Sequence, residues 1–350
     1  MSKPSRRSRG SVTIEDVARR AGVSAMTVSR VINQGKNVRD RTRARVLEAI
    51  EALRYSPNTA ARSLAAGEAT HIGLLYSNPS AAYLSQFLVG ALDGARKAGC
   101  HLVIEACESE NDAEQSEAAR RLADADVEGV ILPPPLSESV PILTELTAAG
   151  TPVVTVAMGH AFANALNVRM DDFKAAREMT EYLVSLGHGR IAMITGHPDH
   201  IASIERERGF RSAMEAAGLD IVPAYVEQGL FTFRSGMEAA ERLLDLPDPP
   251  TAIFAFNDNA AISVVHVARV RGLRVPEDLS VVGFDDSEQA AIVTPPLTTV
   301  RQPLEELGRM AVSLLLRVLE NQRHDALRIE LATKLVVRES TASPRVAATA

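Results

Sequence analysis

A short run near the N-terminus places side chains that could bind DNA bases on one face of a predicted helix. Met26, Arg30 and Asn33 recur at positions i, i+4 and i+7, with Ser29 at i+3 on the same face. In the major groove an arginine can donate two hydrogen bonds to guanine, and an apolar side chain can contact the methyl group of thymine. The spacing therefore predicts a helix whose outer face suits insertion into the major groove.

The apolar pattern around this helix predicts a unit of three helices that would position it. The residues expected on the inner faces are Ile14, Val17, Ala18 and Ala21 in the first helix, Val28, Val31 and Ile32 in the second, and Val46, Leu47, Ile50 and Leu53 in the third. Thr13 and Ser24 are suited to cap the first two helices, and Gly22 to end the first. Two helices joined by a short turn that contains glycine form a helix-turn-helix. We therefore expect an all-α helix-turn-helix headpiece over residues 12–57.

The charge of the chain is divided between a basic start and an acidic remainder. Residues 1–66 carry fourteen Lys and Arg against five Asp and Glu, a net +9, so the rest carries −15 of the total of −6. A basic module on an acidic body is typical of a protein that binds a polyanion through one domain. Residues 1–11 are basic without an apolar run, which favours a disordered arm over a secretion signal.

Composition and motifs exclude several classes of protein. No apolar run approaches the roughly 18 residues of a membrane span, so we expect no membrane partner. Cys100 and Cys107 have no metal-binding spacing, and His197 and His200 lack a third ligand nearby. The sequence contains no P-loop, nucleophile elbow, dinucleotide fingerprint or zinc-protease motif. We expect a cytoplasmic, nucleoid-associated protein that is not an enzyme, with no catalytic residue, metal or cofactor.

From His71 onward, short β-branched runs alternate with amphipathic helices. Strands are predicted over 72–76, 102–106, 130–132, 153–156, 191–194, 252–256 and 281–284, and helices over 83–98, 171–186, 205–217, 259–271 and 304–320. This alternation indicates parallel sheets with helices on both faces.

A repeated pattern divides this α/β region into two lobes. A strand starting at Ile72 leads to a helix closed by Gly99, and a strand starting at Ile191 leads to one closed by Gly218. Two doubly wound parallel-sheet lobes would bring the carboxyl ends of their strands to a shared cleft, where ligands bind in such sheets. The core is assigned to residues 70–340, with an N-lobe of about 70–169 plus 301–325, a C-lobe of about 170–298 plus 326–340, and a disordered tail at 341–350.

Several segments carry a resemblance to a known family. They are VTIEDVA at 12–18, AGVS at 21–24, TVSRVIN at 27–33, YSPN at 55–58 and ARSL at 61–64 in the first part, and LGHGRIA at 186–192, ERERGF at 205–210, FND at 256–258, VVGFDD at 281–286 and PPLTTV at 295–300 in the second. Over roughly residues 12–340 the chain resembles the lactose/galactose repressor (LacI/GalR) family of transcription regulators, whose core is similar to periplasmic sugar-binding proteins.

The resemblance implies roles in DNA binding for headpiece and hinge residues. Ala25, Met26 and Arg30 occupy base-reading positions, and because Ala25 and Met26 are apolar we expect discrimination through methyl contacts. The backbone-contacting or supporting positions are Thr13, Ser24, Thr27, Ser29, Asn33, Asn37, Thr42 and Tyr55. Residues 58–67 correspond to a hinge helix or linker, whose DNA-binding positions are Asn58, Ala61 and Leu64. Leu64 would wedge into the central base step of the minor groove.

The resemblance also implies an effector site at residues that follow predicted strands. The candidates are Arg206, Phe231, Asn257 and Asp285, with Ser77, Tyr83 and Asp171 as further members. An arginine suits paired hydroxyls or a carboxylate, and Phe231 would stack on a sugar or base. Asp258, Asp286 and His188 are instead expected to cap helices or fix loops. Ala157 departs from several sugar-responsive relatives, which have an acid at that position. Leu84 after Tyr83 leaves the aromatic pair of purine-responsive relatives incomplete, which disfavours a purine, so we expect a sugar or glycoside.

Together these features predict a repressor that binds a pseudo-palindromic double-stranded operator as a homodimer and is released when an effector moves the lobes and separates the hinges. The effector's identity, the operator sequence, co-repression in place of induction, and a tetramer in place of a dimer stay open. A periplasmic transport receptor would share the lobes but lack the headpiece. A nucleoid-architectural protein would bind DNA without sequence preference.

Overall fold

The chain divides into two units, Met1–Ala69 and Thr70–Ala350. The computed structural model describes residues 14–32, 38–53, 70–77, 80–108, 110–157, 166–320 and 328–345. The predicted arm at 1–11 and hinge at 58–67 lie outside these ranges.

Three helices pack around a small apolar core in the first unit: α1 Ile14–Ala21, α2 Ala25–Ile32 and α3 Asp40–Leu53. Its buried side chains are Val17, Ala18, Ala21, Val28, Val31, Val46 and Ala49. Gly22 has a left-handed φ of 63°, a conformation that a residue with a side chain rarely adopts. The Ser24 hydroxyl accepts the Thr27 N–H at 3.3 Å and so caps α2. The predicted helix-turn-helix is confirmed.

Contacts from α3 hold this turn and correct one prediction. The Arg45 guanidinium donates to the carbonyl oxygens of Ala21 and Gly22, where α1 ends. Leu47 was predicted on the inner face, but it is 53% exposed, and Ala49 is buried instead. The inner stripe of α3 runs through Val46, Ala49 and Leu53, and Leu47 lies about 100° away from it around the helix.

The second unit alternates strands and helices as predicted. Its strands are β1 His71–Tyr76, β2 His101–Ala106, β3 Gly129–Leu132, β4 Val153–Val156, β5 Leu166–Met170, β6 Ile191–Thr195, β7 Val226–Gln228, β8 Ala252–Ala255, β9 Ser280–Val282, β10 Thr299–Arg301, β11 Arg328–Leu331 and β12 Lys334–Val336. Its helices are α4 Ala81–Ala98, α5 Asp112–Asp124, α6 Val140–Ala148, α7 Asp172–Ser185, α8 Ile201–Ala216, α9 Phe233–Leu244, α10 Asp258–Val270, α11 Glu288–Ile292 and α12 Leu304–Leu319, with 3-10 turns at Leu136–Glu138 and Pro223–Tyr225.

Two parallel sheets form the two lobes. The first has the order β11-β5-β4-β3-β1-β2, and the second has the order β7-β6-β8-β9. The middle strands are continuous apolar runs, such as β3 and β8, in which every residue is buried, because helices cover both faces. A short antiparallel pair, β10 and β12, forms where the chain passes between the lobes. The predicted α/β core of two parallel-sheet lobes is confirmed.

The end of the chain departs from the predicted division into domains. Strand β11 pairs with β5 in the first sheet, whereas the sequence assigned residues 326–340 to the C-lobe. Residues 341–345 were predicted to be a disordered tail, but Ala342 accepts a hydrogen bond from His188 Nε2 at 2.9 Å. Arg345 pairs with Asp278 at 2.6 Å. The segment is held because its backbone completes hydrogen bonds of the second lobe.

Three polar residues fix loops, as expected from the sequence. Asp258 accepts the Ser287 N–H at 2.7 Å and the Thr299 hydroxyl at 2.6 Å. Asp286 pairs with Arg301 and Arg338, and His188 lies within 2.9 Å of the Thr251 hydroxyl. Within the described ranges, no helix is both long and apolar enough to cross a membrane. Those ranges also contain no group of three or more His, Cys, Asp or Glu arranged to hold a metal.

Candidate functional site

The outer face of α2 presents two of the predicted base-reading residues. Met26 is 66% exposed, and the Arg30 guanidinium lies 3.6 Å from its sulfur atom. Ala25, Thr27 and Thr42 are half-buried, while Ser24 is exposed and caps the helix. Met26 and Arg30 are therefore available to a partner, whereas Ala25, Thr27 and Thr42 are partly covered by the protein itself.

Other predicted DNA-binding residues lie outside the described residues. They are Thr13, Asn33, Asn37, Tyr55, Asn58, Ala61 and Leu64, and the side chain of Ser29 is likewise not described.

In the second unit, an inner pocket of about 70 Å³ lies between the two lobes. The first lobe and the segment returning to it supply Ser80, Tyr83, Pro134, Pro135, Glu138 and Gln302, and the second lobe supplies His200, Ala202, Arg206, Phe231, Phe256, Asn257 and Asp285. Five predicted effector residues meet here: Tyr83, Arg206, Phe231, Asn257 and Asp285. They come from loops at the carboxyl ends of strands and from adjacent helices, as expected for facing doubly wound sheets.

Arg206 forms the most constrained part of the pocket. Its Nε donates to Asp172 Oδ1 at 2.7 Å, and its Nη1 donates to the carbonyl oxygen of Phe256 at 2.9 Å. The guanidinium carbon lies 4.3 Å from the centre of the Phe256 ring and 3.5 Å from that of Phe284. Within the described residues its third nitrogen, Nη2, has no hydrogen-bond partner. A rigidly held arginine with one free N–H edge suits a ligand hydroxyl.

Burial raises the pKa of two carboxyl groups that interact electrostatically with Arg206. Burial raises the pKa of Asp172, and the positive charge of Arg206 opposes that shift. Burial, followed by the nearby Asp258, raises the pKa of Asp285 well above its usual range. The Asp285 carboxyl accepts a hydrogen bond from Gln302 Nε2 at 2.5 Å and lines the pocket.

Asn257 and Phe231 form a supporting pair. The Asn257 side chain caps α10 by accepting the Ala260 N–H at 2.9 Å, and its Nδ2 donates to the Phe231 carbonyl oxygen at 3.0 Å. Phe231 has a left-handed φ of 62°, and its ring stacks on His200 with the centroids 5.0 Å apart. Asn257 therefore fixes the loop that turns the Phe231 ring toward the cavity.

Tyr83 and Gln302 each bring an unpaired polar atom into the pocket lining. Tyr83 is 8% exposed and Gln302 is 4% exposed, and the Tyr83 hydroxyl and Gln302 Oε1 have no hydrogen-bond partner among the described residues. Burial raises the pKa of Tyr83, so its hydroxyl stays protonated and can donate.

A larger outer cleft of about 990 Å³ adjoins the inner pocket and contains the predicted Ser77. Glu138 lines both cavities, and its carboxylate crosses between the lobes to accept the Ile201 N–H at 3.2 Å in the first turn of α8. Burial raises the pKa of Glu138 to about 7. Asp171 lines neither cavity of the described core, because its carboxylate caps α7 by accepting the Lys174 N–H at 2.8 Å.

Sequence analysis did not identify Asp172, Glu138 or Gln302. Asp172 adjoins the predicted Asp171, and its role depends on Arg206, which is 34 residues away. Glu138 lies in the loop that follows β3, after three prolines, a leucine and a serine, so its position beyond the end of a central strand was the available signal. Gln302 follows β10, a strand that the sequence analysis did not predict.

Known proteins match both units. Residues 13–58 match the family model described as bacterial regulatory proteins, lacI family, and residues 180–341 match that of a periplasmic binding protein-like domain. Catabolite control protein A of Priestia megaterium is 34% identical over 333 residues, which is 94% of this chain and 99% of that protein. The HTH-type transcriptional repressor PurR of Proteus mirabilis (strain HI4320) is 37% identical over 334 residues, with 94% and 97% covered.

Solved structures give the same result. The complex of the transcriptional regulator CelR with cellobiose has a TM-score of 0.73 and 34% identity, with 94% of this chain and 100% of that chain covered. The lac repressor dimer bound to operator and the anti-inducer ONPF has a TM-score of 0.72 and 29% identity, with 95% and 99% covered.

The relatives named here are transcription regulators, and their matches extend over the headpiece and the core together. The chain belongs to the LacI family of bacterial regulatory proteins and is a transcriptional repressor with a helix-turn-helix DNA-binding domain and a periplasmic-binding-protein-like core.

Proposed function

We propose that this repressor binds a pseudo-palindromic operator as a homodimer and is released from it by a sugar or glycoside held between the two lobes of its core. The observation that carries the proposal is the inner pocket, where aromatic rings and polar side chains from both lobes converge. Pockets that combine apolar walls with a few directed polar groups are typical of small-molecule sites.

The proposed DNA contact rests on α2. Met26 and Arg30 are exposed side by side on its outer face, and the 1–66 segment carries a net charge of +9. An exposed arginine on a second helix of this motif is placed to bond a guanine edge, while the remaining basic residues attract phosphates.

The proposed sugar contact rests on Arg206, Phe231 and Asp285. A planar ring stacks on the apolar face of a sugar, and the free guanidinium edge and the carboxyl match ring hydroxyls. The relative CelR, solved with cellobiose, shares 34% identity over nearly the whole chain and so supports a carbohydrate ligand.

Because both lobes line the pocket, a ligand there favours one relative arrangement of the lobes over others. Release from DNA follows if the operator-bound state favours a different arrangement. Couplings of this kind are typically about 1–3 kcal/mol, or about 5- to 150-fold in operator affinity.

The test begins by selecting bound fragments from the source genome with the purified protein. We expect enrichment of one sequence with two-fold symmetry, whose complex is then titrated with a panel of sugars in a mobility-shift assay. An enriched site without symmetry contradicts the homodimer. A symmetric site that no sugar releases contradicts the effector class.

Arg30→Lys and Arg30→Ala separate base recognition from phosphate attraction. Lysine keeps the charge but loses the two-pronged donor, so we expect both variants to lose about 1–3 kcal/mol at the selected site. Binding of Arg30→Lys to random DNA should match that of the unmodified protein. If Arg30→Lys keeps full sequence preference, the base-reading role of Arg30 is wrong.

A further inference from the structure

The inner pocket and the outer cleft adjoin each other. They share the lining residues Pro135, Glu138, His200 and Phe231, and the outer cleft is much the larger, about 990 Å³ against about 70 Å³. A ligand too large for the inner pocket therefore has room to extend into the outer cleft.

Two buried polar atoms indicate that the inner part is built for a ligand. The Tyr83 hydroxyl and Gln302 Oε1 have no partner among the described residues, although both side chains are more than nine-tenths buried. Buried polar groups are nearly always hydrogen-bonded, so an unpaired pair in one pocket indicates a missing partner. Gln302 Oε1 can accept a hydrogen bond and the Tyr83 hydroxyl can donate one, which suits a ligand whose hydroxyl groups both donate and accept.

The outer cleft is lined by acids and, among the described residues, by no lysine or arginine. Its carboxyl groups are those of Glu108, Glu110, Asp112, Glu138 and Asp199, and Glu138, with a pKa of about 7, is only partly ionised near pH 7. None of the five pairs with a Lys or Arg of the described chain. The nearest cationic candidate is His197, 3.8 Å from Glu110 and 3.9 Å from Asp199.

The second histidine of the cleft does not neutralise this charge. Burial, reinforced by His197, lowers the pKa of His200 to about 4, so its ring is neutral near pH 7. Carboxylates gathered around one cleft raise the local concentration of cations and repel anions. The cleft thus disfavours phosphorylated sugars.

We propose that the outer cleft selects a carbohydrate that carries a protonated amine, so that the effector of this repressor is an amino sugar or an amino-sugar glycoside. This inference rests on the proposed effector site. The hydroxyls of such a ligand supply donors to the inner pocket, and its ammonium group supplies three further donors and a positive charge to the carboxylates.

The test uses matched pairs of sugars that differ in an amine or a hydroxyl at one ring position. Glucosamine is compared with glucose, galactosamine with galactose, and the β-1,4-linked glucosamine disaccharide with cellobiose, by calorimetric titration of the full-length protein at pH 6.5. We expect the amine of one pair to bind about tenfold more tightly at low salt, since each exposed ion pair contributes up to about fivefold. The difference should shrink at high salt because exposed charges are screened.

Two charge variants locate the effect. In Glu110→Gln/Asp112→Asn/Asp199→Asn, the preference for the amine should disappear. In Glu114→Gln/Glu117→Gln/Asp124→Asn, which makes the same charge change on α5 outside the outer cleft, the preference should persist.

The outcomes separate this inference from the proposed function. If a neutral sugar binds as tightly as its amine and releases DNA, the amine preference is wrong and the sugar effector stands. If both triple variants lose the preference equally, the outer cleft is not its source and the inference is wrong. If no sugar of any pair binds, both proposals are wrong.

Discussion

Replacing Arg206 by alanine perturbs the most buried charge pair of the ligand site. Arg206 and Asp172 have side chains only 5% and 7% exposed, and 2.7 Å separates Nε from the carboxylate. The guanidinium also lies between the rings of Phe256 and Phe284. Alanine removes the ion pair and both ring contacts and leaves the Asp172 carboxylate without its cation.

The expected loss of unfolding free energy is about 3–5 kcal/mol at pH 8, because removing one partner of a buried ion pair leaves an uncompensated buried charge. Burial already raises the pKa of Asp172, and Arg206 is the largest influence lowering it. In the variant the folded-state pKa therefore rises further above the unfolded value. A group of this kind destabilises the folded state increasingly as pH rises through its folded-state pKa, so the loss should be smaller at pH 5 than at pH 8.

Urea unfolding followed by circular dichroism at pH 5 and pH 8 measures this effect. The double variant Asp172→Ala/Arg206→Ala should lose less than the sum of the two single variants, because the side chains interact directly. A loss below about 1 kcal/mol for Arg206→Ala, or one that is equal at both pH values, would refute the reasoning. Effector response of this variant must accordingly be compared only where the core is folded.

Three further predictions concern stability. Glu138 has a folded-state pKa of about 7 against an ordinary value of 4.5, so its contribution to the stability of the folded state is greatest at low pH and is lost as pH rises through 7. Glu138→Gln should therefore raise the melting temperature relative to the unmodified protein more at pH 8 than at pH 5. A difference in melting temperature that does not depend on pH contradicts this. Gly90→Ala should lower the free energy of unfolding, measured in urea, by about 1–3 kcal/mol, because a Cβ at this position overlaps the backbone of Glu305. An unchanged urea midpoint argues against the close packing of α4 and α12. Removing residues 340–350 should lower the melting temperature, since the buried Ser340 hydroxyl accepts a hydrogen bond from the Thr298 N–H and donates one to the Val281 carbonyl oxygen. Removing only 346–350 keeps this hydroxyl and is the control, and an equal change in both truncated proteins contradicts the role of Ser340.

Local signals in the sequence predicted much of the structure of the headpiece. Gly22 and Ser24 define the turn through their own backbone and hydroxyl chemistry, so no distant contact is needed to interpret them. Leu47 was misplaced because apolar character alone does not distinguish it from Val46, and the phase of α3 is set by packing against α1 and α2. The contact of Arg45 with the end of α1 joins residues more than twenty positions apart and has no local pattern.

In the core, the strands that form apolar runs were predicted, whereas β5, β7, β10, β11 and β12 were not. β7 and β12 have three residues each and no fully buried position, so neither forms an apolar run. β11 likewise alternates exposed and half-buried residues, and its partner β5 is more than 150 positions away. Five of the seven effector candidates line the inner pocket because strand ends are local features, whereas the cross-lobe contact of Glu138 depends on how the lobes meet.

That cross-lobe contact has a consequence for the time course of ligand binding. Glu138 spans from the first lobe to the first turn of α8 and lines both cavities, so it stands at the boundary between the outer cleft and the inner pocket. We therefore expect a ligand that moves from the outer cleft into the inner pocket to require this bridge to open. In a stopped-flow experiment the observed rate should level off at high ligand concentration, at the rate at which the lobes part. A repressor with such a bridge responds to its effector with a delay set by its own motion, however abundant the effector becomes.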